Sequence, residues 1–135
     1  AMVYRNLFIN LAAALSRHYL TVQSPRAKSL VALSAGVAYL ESGIAEEVFI
    51  GEAADRAGLS VNQFIRRFKA AYGLTPYRYL IGLRLDRAAR LLTESNRSVT
   101  DIAADCGFDD ANYFSRSFSA RFGTSPRSYR SLRRR

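Results

Sequence analysis

Residues 64–79, FIRRFKAAYGLTPYRY, and residues 114–129, FSRSFSARFGTSPRSY, are two versions of one sixteen-residue phrase set fifty positions apart. Seven of the sixteen paired positions are identical: Phe64/Phe114, Arg66/Arg116, Phe68/Phe118, Ala70/Ala120, Gly73/Gly123, Pro76/Pro126 and Tyr79/Tyr129. Tyr72/Phe122 and Thr75/Ser125 are near matches. Phe64, Phe68 and Tyr72 fall at i, i+4 and i+8, one stripe of a helix, and Phe114, Phe118 and Phe122 repeat it. Such a stripe is read as core. The opposite face carries Asn62, Arg66 and Lys69 in the first copy and Asn112, Arg116 and Ser119 in the second. Upstream, Ala53-Ala54 before Gly58-Leu59 corresponds to Ile102-Ala103 before Gly107-Phe108. Each copy is therefore a short helix, a glycine turn and a second helix with a polar face, which is a helix-turn-helix.

The rest of the chain reads as helices too. Tyr4, Leu7, Phe8, Leu11, Leu15 and Tyr19 predict an N-terminal helix over 4–21, and Pro25 punctuates the stretch after it. Leu30, Leu33, Val37 and Leu40 predict a helix over 29–41, stopped at Ser42-Gly43. A short helix over 49–57 leads to a turn, and Ser60 is the expected N-cap of a helix over 61–72 that closes at Gly73. Thr75-Pro76 opens a long helix to about Glu94, with proline where its missing amide is harmless. Ser98 to Asp101 reads as a capping box, a helix over 110–121 ends at Gly123, and Ser125-Pro126 opens a last helix to about Leu132. No stretch reads as a strand, so the fold class is all-α: two helix-turn-helix subdomains (48–73 and 98–123), a connecting helix (75–94) and an extra N-terminal helix.

Composition narrows the function. The 135 residues are 49% hydrophobic, enough to bury a core, and carry a formal charge of +9. The arginines concentrate from Arg66 onward and end in a basic tail over 133–135, while Glu41, Glu46, Glu47, Glu52 and Asp55 lie earlier. That asymmetry points to a polyanion, and arginines interleaved with aromatics favour nucleic acid over membrane. No apolar run approaches the ~20 residues of a membrane helix. LFINLAAALS is interrupted by Asn10 and lacks a strong basic lead, so it is not read as a signal peptide. Cys106 is the one cysteine, which excludes an internal disulfide and fits a cytoplasmic setting. His18 has no ligand-spaced partner, so neither a metal site nor a cofactor is expected. No nucleophile with a base, carboxylate pair or phosphate loop suggests an enzyme. Asp109-Asp110 and Glu46-Glu47 read as helix starts. Two classes remain: a reader of duplex DNA, and a helical module that binds protein. Asn can pair bidentately with adenine and Arg with guanine. A connecting helix of about 20 residues spans roughly 30 Å, close to the ~34 Å between successive major-groove faces.

Two segments, AADRAGLSVNQFIRRFKAAYGLTPYRYLIGLRLDRAARLLTES and SVTDIAADCGFDDANYFSRSFSARFGTSPRSYR, resemble the DNA-binding domain of the AraC family of bacterial transcription regulators. The resemblance covers about 29–132. It implies two helix-turn-helix units that bind a double-stranded DNA operator, in adjacent major grooves, to regulate transcription. By position, it implies base-facing residues Asn62, Ile65 and Arg66 in the first unit and Ala111, Asn112, Ser115 and Arg116 in the second. Ala111 and Ser115 offer little readout, so the second unit is expected mainly to position the protein. Ile65 either meets a thymine methyl or packs beneath a neighbour. Phosphate candidates are Ser60 with the amides after it, Arg67, Lys69, Ser119 and Arg121, with Arg67 and Arg121 reaching either phosphate or solvent. Arg84 matches a basic family position and is expected in an internal ion pair ahead of a phosphate contact. The resemblance also implies an effector-binding or dimerising domain upstream, absent here, with 1–28 read as the N-terminal helix and linker to it and the 4–21 helix as a joint, a dimer contact or a cover for the core, and RNA polymerase as a further partner. A short regulator without a sensor is the alternative.

Overall fold

The computed structural model describes residues 9–11, 25–44 and 46–134. Among these residues all regular structure is helical. In chain order the helices are α1 (Pro25–Ser42), α2 (Ile50–Arg56), α3 (Val61–Tyr72), α4 (Pro76–Glu94), α5 (Val99–Asp105), α6 (Ala111–Phe122) and α7 (Pro126–Arg133). Residues 9–11 are helical, while the remainder of the expected 4–21 helix, including His18, lies outside the described residues. α1 begins at Pro25, four residues ahead of the expected start. The proline read as punctuation is instead the first helical residue, where its fixed φ suits a helix and no amide is lost.

The chain divides into two units, Ala1–Ser42 with Val48–Arg78, and Gly43–Glu47 with Tyr79–Arg135. In the first, α1 presents Leu33, Val37 and Leu40, all buried, and α3 presents Phe64, Phe68 and Tyr72. The rings pack in series: Phe64 and Phe68 are 5.8 Å apart, and Tyr72 stacks on Phe68 at 4.4 Å. Ala53 and Ala54 of α2 are fully buried, their small side chains letting helices approach closely. Tyr39 clasps the entry to α2. Its hydroxyl donates to Glu52 Oε2 at 3.1 Å and accepts the Phe49 amide at 3.3 Å. Arg56 then donates to Glu52 at 2.8 Å and lies over the Tyr39 ring at 4.7 Å.

The second unit repeats this chemistry. Phe114, Phe118, Ile102, Ala103 and Leu92 form its centre with Cys106. Phe114–Phe118 and Phe118–Phe122 centroids are 5.7 and 4.5 Å apart, and Tyr129 meets Phe118 edge-on at 5.3 Å. Cys106 is fully buried, and burial pushes its thiol pKa up, so it behaves as a small apolar filler.

Arg84 of α4 is buried, and here the expectation of an ion pair fails. Its guanidinium donates to four backbone carbonyls: Ile44 at 2.9 Å, Glu46 at 2.7 Å, Gly107 at 3.3 Å and Gly43 at 3.5 Å. The planar fork of donors can satisfy several carbonyls that no helix or strand provides for, which a lysine ammonium could not match. Arg130 works likewise at the end of α4, donating to Leu92 O at 2.9 Å and Arg97 O at 2.5 Å. Arg134 reaches Asn96 Oδ1 at 2.6 Å and the Ser95 carbonyl.

Gly107 has φ +83°, and a Cβ there would sit 2.8 Å from Arg84 Cζ. Gly58, its counterpart, has φ +67° with open space around it. Gly58→Ala should therefore cost only the left-handed penalty, about 1 kcal/mol. Gly107→Ala must also displace the guanidinium and should cost about 2–4 kcal/mol. Urea denaturation of the two variants reads the difference.

Tyr72 supplies a pH test. Burial, with the nearby Glu41 charge adding to it, raises its phenol pKa from 10.0 to about 12. The fold thus favours the protonated phenol. This contribution is complete below pH 10 and disappears as pH rises from 10 through 12. Tyr72→Phe should remove up to about 2 kcal/mol of stability loss from that window. Urea midpoints at pH 9, 10.5 and 12 for both proteins measure it.

Candidate nucleic-acid interface

Two turns set the interface helices. After α2, Leu59 N–H donates to Ala54 O at 2.9 Å and Gly58 N–H to Asp55 O at 2.9 Å. After α5, Phe108 N–H donates to Ala103 O at 3.0 Å and Gly107 N–H to Ala104 O at 3.0 Å. The two turns are the same hydrogen-bonded object, with the glycine left-handed in each. They differ by one residue, Asp109, between the turn and the next cap.

The caps then fix where each second helix begins. Ser60 and Gln63 form a reciprocal capping box: Gln63 N–H donates to Ser60 Oγ at 3.2 Å, and Ser60 N–H donates to Gln63 Oε1 at 3.2 Å. In the second unit Asp110 Oδ1 accepts from Asn112 N–H at 2.8 Å and Tyr113 N–H at 3.2 Å. A carboxylate at that end also meets the positive pole of α6. At Ser98 the hydroxyl accepts from Asp101 N–H at 3.0 Å, the forward half of the expected box. α3 and α6 both close on a left-handed glycine, Gly73 and Gly123.

With the aromatic stripes buried, the other faces of α3 and α6 point outward. Asn62, Arg66, Arg67 and Lys69 are exposed and Ile65 is half-buried. In α6, Ala111, Asn112 and Arg116 are exposed, while Ser115 and Ser119 are half-buried. Among the described residues neither Arg66 nor Arg116 is held in an ion pair or side-chain hydrogen bond, so both guanidinium groups keep all their donors available. Arg121 differs. Its Nε and Nη2 donate to the two Asp86 oxygens at 2.9 Å each, a bidentate brace between α6 and α4. Ser60 is exposed, but its hydroxyl and amide are both engaged in the box.

One exposed residue on these helices escaped the sequence reading. Tyr113 stands beside Asn112 in the first turn of α6, 37% exposed, its ring 6.1 Å from Phe108. The signal was present: Tyr113 lies one residue off the Phe114–Phe118 stripe, so it could not share the buried face. Gln63, its counterpart in α3, is spent on the cap.

Among the described residues no cluster of His, Cys, Asp or Glu could hold a metal ion, and no helix is long and apolar enough to cross a membrane.

Comparison with known proteins agrees with this geometry. A family model described as a helix-turn-helix domain matches residues 53–132. The transcriptional activator RhaS of Citrobacter koseri is 49% identical over 94 residues, covering 70% of this chain and 34% of that protein. RhaS of Escherichia coli O157:H7 is 48% identical over the same length. The chain thus spans about a third of the length of the curated relatives it matches. Among solved structures, an AraC-type transcriptional regulator from Chromobacterium violaceum superposes with a TM-score of 0.72 at 34% identity, covering 79% of this chain and 96% of that one. The DNA-binding domain of AdpA, solved in complex with a target DNA, gives 0.70 at 34% identity, covering 76% and 92%. The chain belongs to the AraC-type helix-turn-helix family of transcription regulators.

Proposed function

We propose that this chain binds duplex DNA in a sequence-dependent manner, with α3 and α6 as its two reading helices, and that it acts in transcription control. The observation that carries the reading is the pairing of Asn62/Arg66 with Asn112/Arg116. These are two equivalent outward faces whose arginines have no internal partner among the described residues. AdpA, a relative whose DNA-binding domain was solved on target DNA, supports it.

Roles follow from chemistry. Arg66 and Arg116 are the candidates for guanine, since a free guanidinium can meet O6 and N7 together. Asn62 and Asn112 suit adenine. Ile65 offers methyl contact, and Ala111 and Ser115 contribute shape more than hydrogen bonds. Lys69, Arg67 and Ser119 flank these faces as phosphate contacts, with Tyr113 added as a hydroxyl donor near the start of α6. Arg121 is better assigned to its Asp86 brace, and Ser60 to holding the start of α3. The length of α4, about 29 Å at 1.5 Å per residue, suits placement of the two reading helices in successive major grooves of one duplex. A contact with RNA polymerase is proposed as the route from DNA binding to transcription control.

Selection of bound sites from random duplex DNA should return one site with two separated patches about one helical turn apart. Arg66→Ala should cost about 1–3 kcal/mol at that site and relax base choice in one patch alone. Arg116→Ala should do the same in the other patch. Equal losses on every sequence would reduce both arginines to phosphate contacts. Affinity should fall steeply between 50 and 200 mM salt while the site preference persists.

A further inference from the structure

α3 and α6 end in the same way, but their last rings have different surroundings. In the first unit Tyr72 is only 3% exposed. Its hydroxyl donates at 3.1 Å to Oδ1 of Asn10, a half-buried residue of the helical segment 9–11. A short helical piece of the chain thus meets the end of α3 beside α1, whose Glu41 is close enough to act on the Tyr72 phenol. In the second unit the matching residue is Phe122, half-buried and without a hydroxyl. Beside it lies an open cavity of about 400 Å³ with Leu83, Ala89 and Tyr129 among its walls, Arg90 and Arg133 on its rim, and one carboxylate, Asp86, which is already paired with Arg121. Arg90 is exposed, and Arg133 lies over the Tyr129 ring at 4.9 Å.

We propose that this groove between α4, Phe122 and α7 is a docking site for a short amphipathic helix of a partner protein, one that carries carboxylates beside its apolar face. Two observations fix that choice. In the first unit the helical residues 9–11 reach the equivalent position through the Tyr72–Asn10 hydrogen bond, so this corner of the fold is one that another segment can meet. With Asp86 neutralised by Arg121, the groove's rim is left cationic, with Arg90 and Arg133 placed to pair with acids flanking an apolar stripe. The hydroxyl difference agrees: Tyr72 has an asparagine acceptor to meet, whereas Phe122 offers an apolar ring. The proposal does not depend on the DNA reading, because Arg66 and Arg116 take no part in the groove.

The test uses isotope-labelled full chain and two synthetic helical peptides. Both carry leucines at i, i+3, i+4 and i+7; one is flanked by glutamates, the other by lysines. The glutamate peptide should shift the resonances of Phe122, Ala89 and Tyr129 and bind at least tenfold more tightly than the lysine peptide. Arg90→Glu with Arg133→Glu should reverse that order. Thr93→Trp, which fills the groove without changing charge, should abolish the shifts while leaving DNA affinity unaltered. Shifts confined to the Arg66 and Arg116 faces would overturn the proposal, as would equal binding of the two peptides. Concentration-dependent shifts at Phe122 without peptide would assign the groove to a second copy of the chain and equally overturn it.

Discussion

A helix of twelve residues can bury one stripe, and α3 and α6 spend theirs on aromatics. Once Phe64, Phe68 and Tyr72 are packed, the remaining turn positions have no route inward, and Asn62, Arg66 and Lys69 must face solvent. The same holds for Phe114 and Phe118 against Asn112 and Arg116. The outward polar surface is therefore a by-product of the core. Full burial of each phenylalanine contributes about 1.5–3 kcal/mol, so the orientation of the polar face is held by terms larger than any single surface contact.

Helix limits were legible because they are decided locally. Ser60, Ser98, Asp110 and Ser125 each cap from their own side chain, and Gly73 and Gly123 each stop a helix through their own φ. Where the reading went astray, the deciding partner lay far along the chain. Arg84 was expected to find an acid. Its acceptors are carbonyls 23 to 41 residues away, and nothing in local sequence marks a carbonyl as needing a donor. Arg121, expected to reach phosphate or solvent, pairs with Asp86 across 35 residues, a partner that its local sequence does not mark. Tyr113 was passed over because the aromatic pattern beside it was so regular.

The duplication is also informative where it is imperfect. The glycine turns share their hydrogen bonds, yet Asp109 lengthens the second before its cap. The first cap is a Ser/Gln box, the second a single carboxylate. Tyr72 has its asparagine partner, whereas Phe122 borders an open groove. A copied unit that keeps its packing and changes its periphery can divide labour: one outer face presents Ile65 and Arg66, the other smaller side chains beside Arg116.

The internal commitments of arginine change what the chain's +9 means. Arg84, Arg121, Arg130 and Arg134 spend donors on carbonyls and on Asp86, Arg97 pairs with Asp105 at 2.5 Å, and Arg56 with Glu52 at 2.8 Å. Part of the cationic inventory is scaffolding in the literal sense: Arg84, Arg130 and Arg134 tie off backbone carbonyls. These side chains keep their charge while their donors are engaged, so the count of cations does not give the number of donors a polyanion would find free. Exchanging Arg84 and Arg130 for lysine, charge for charge, would leave that count untouched and strip donors from the carbonyls they serve.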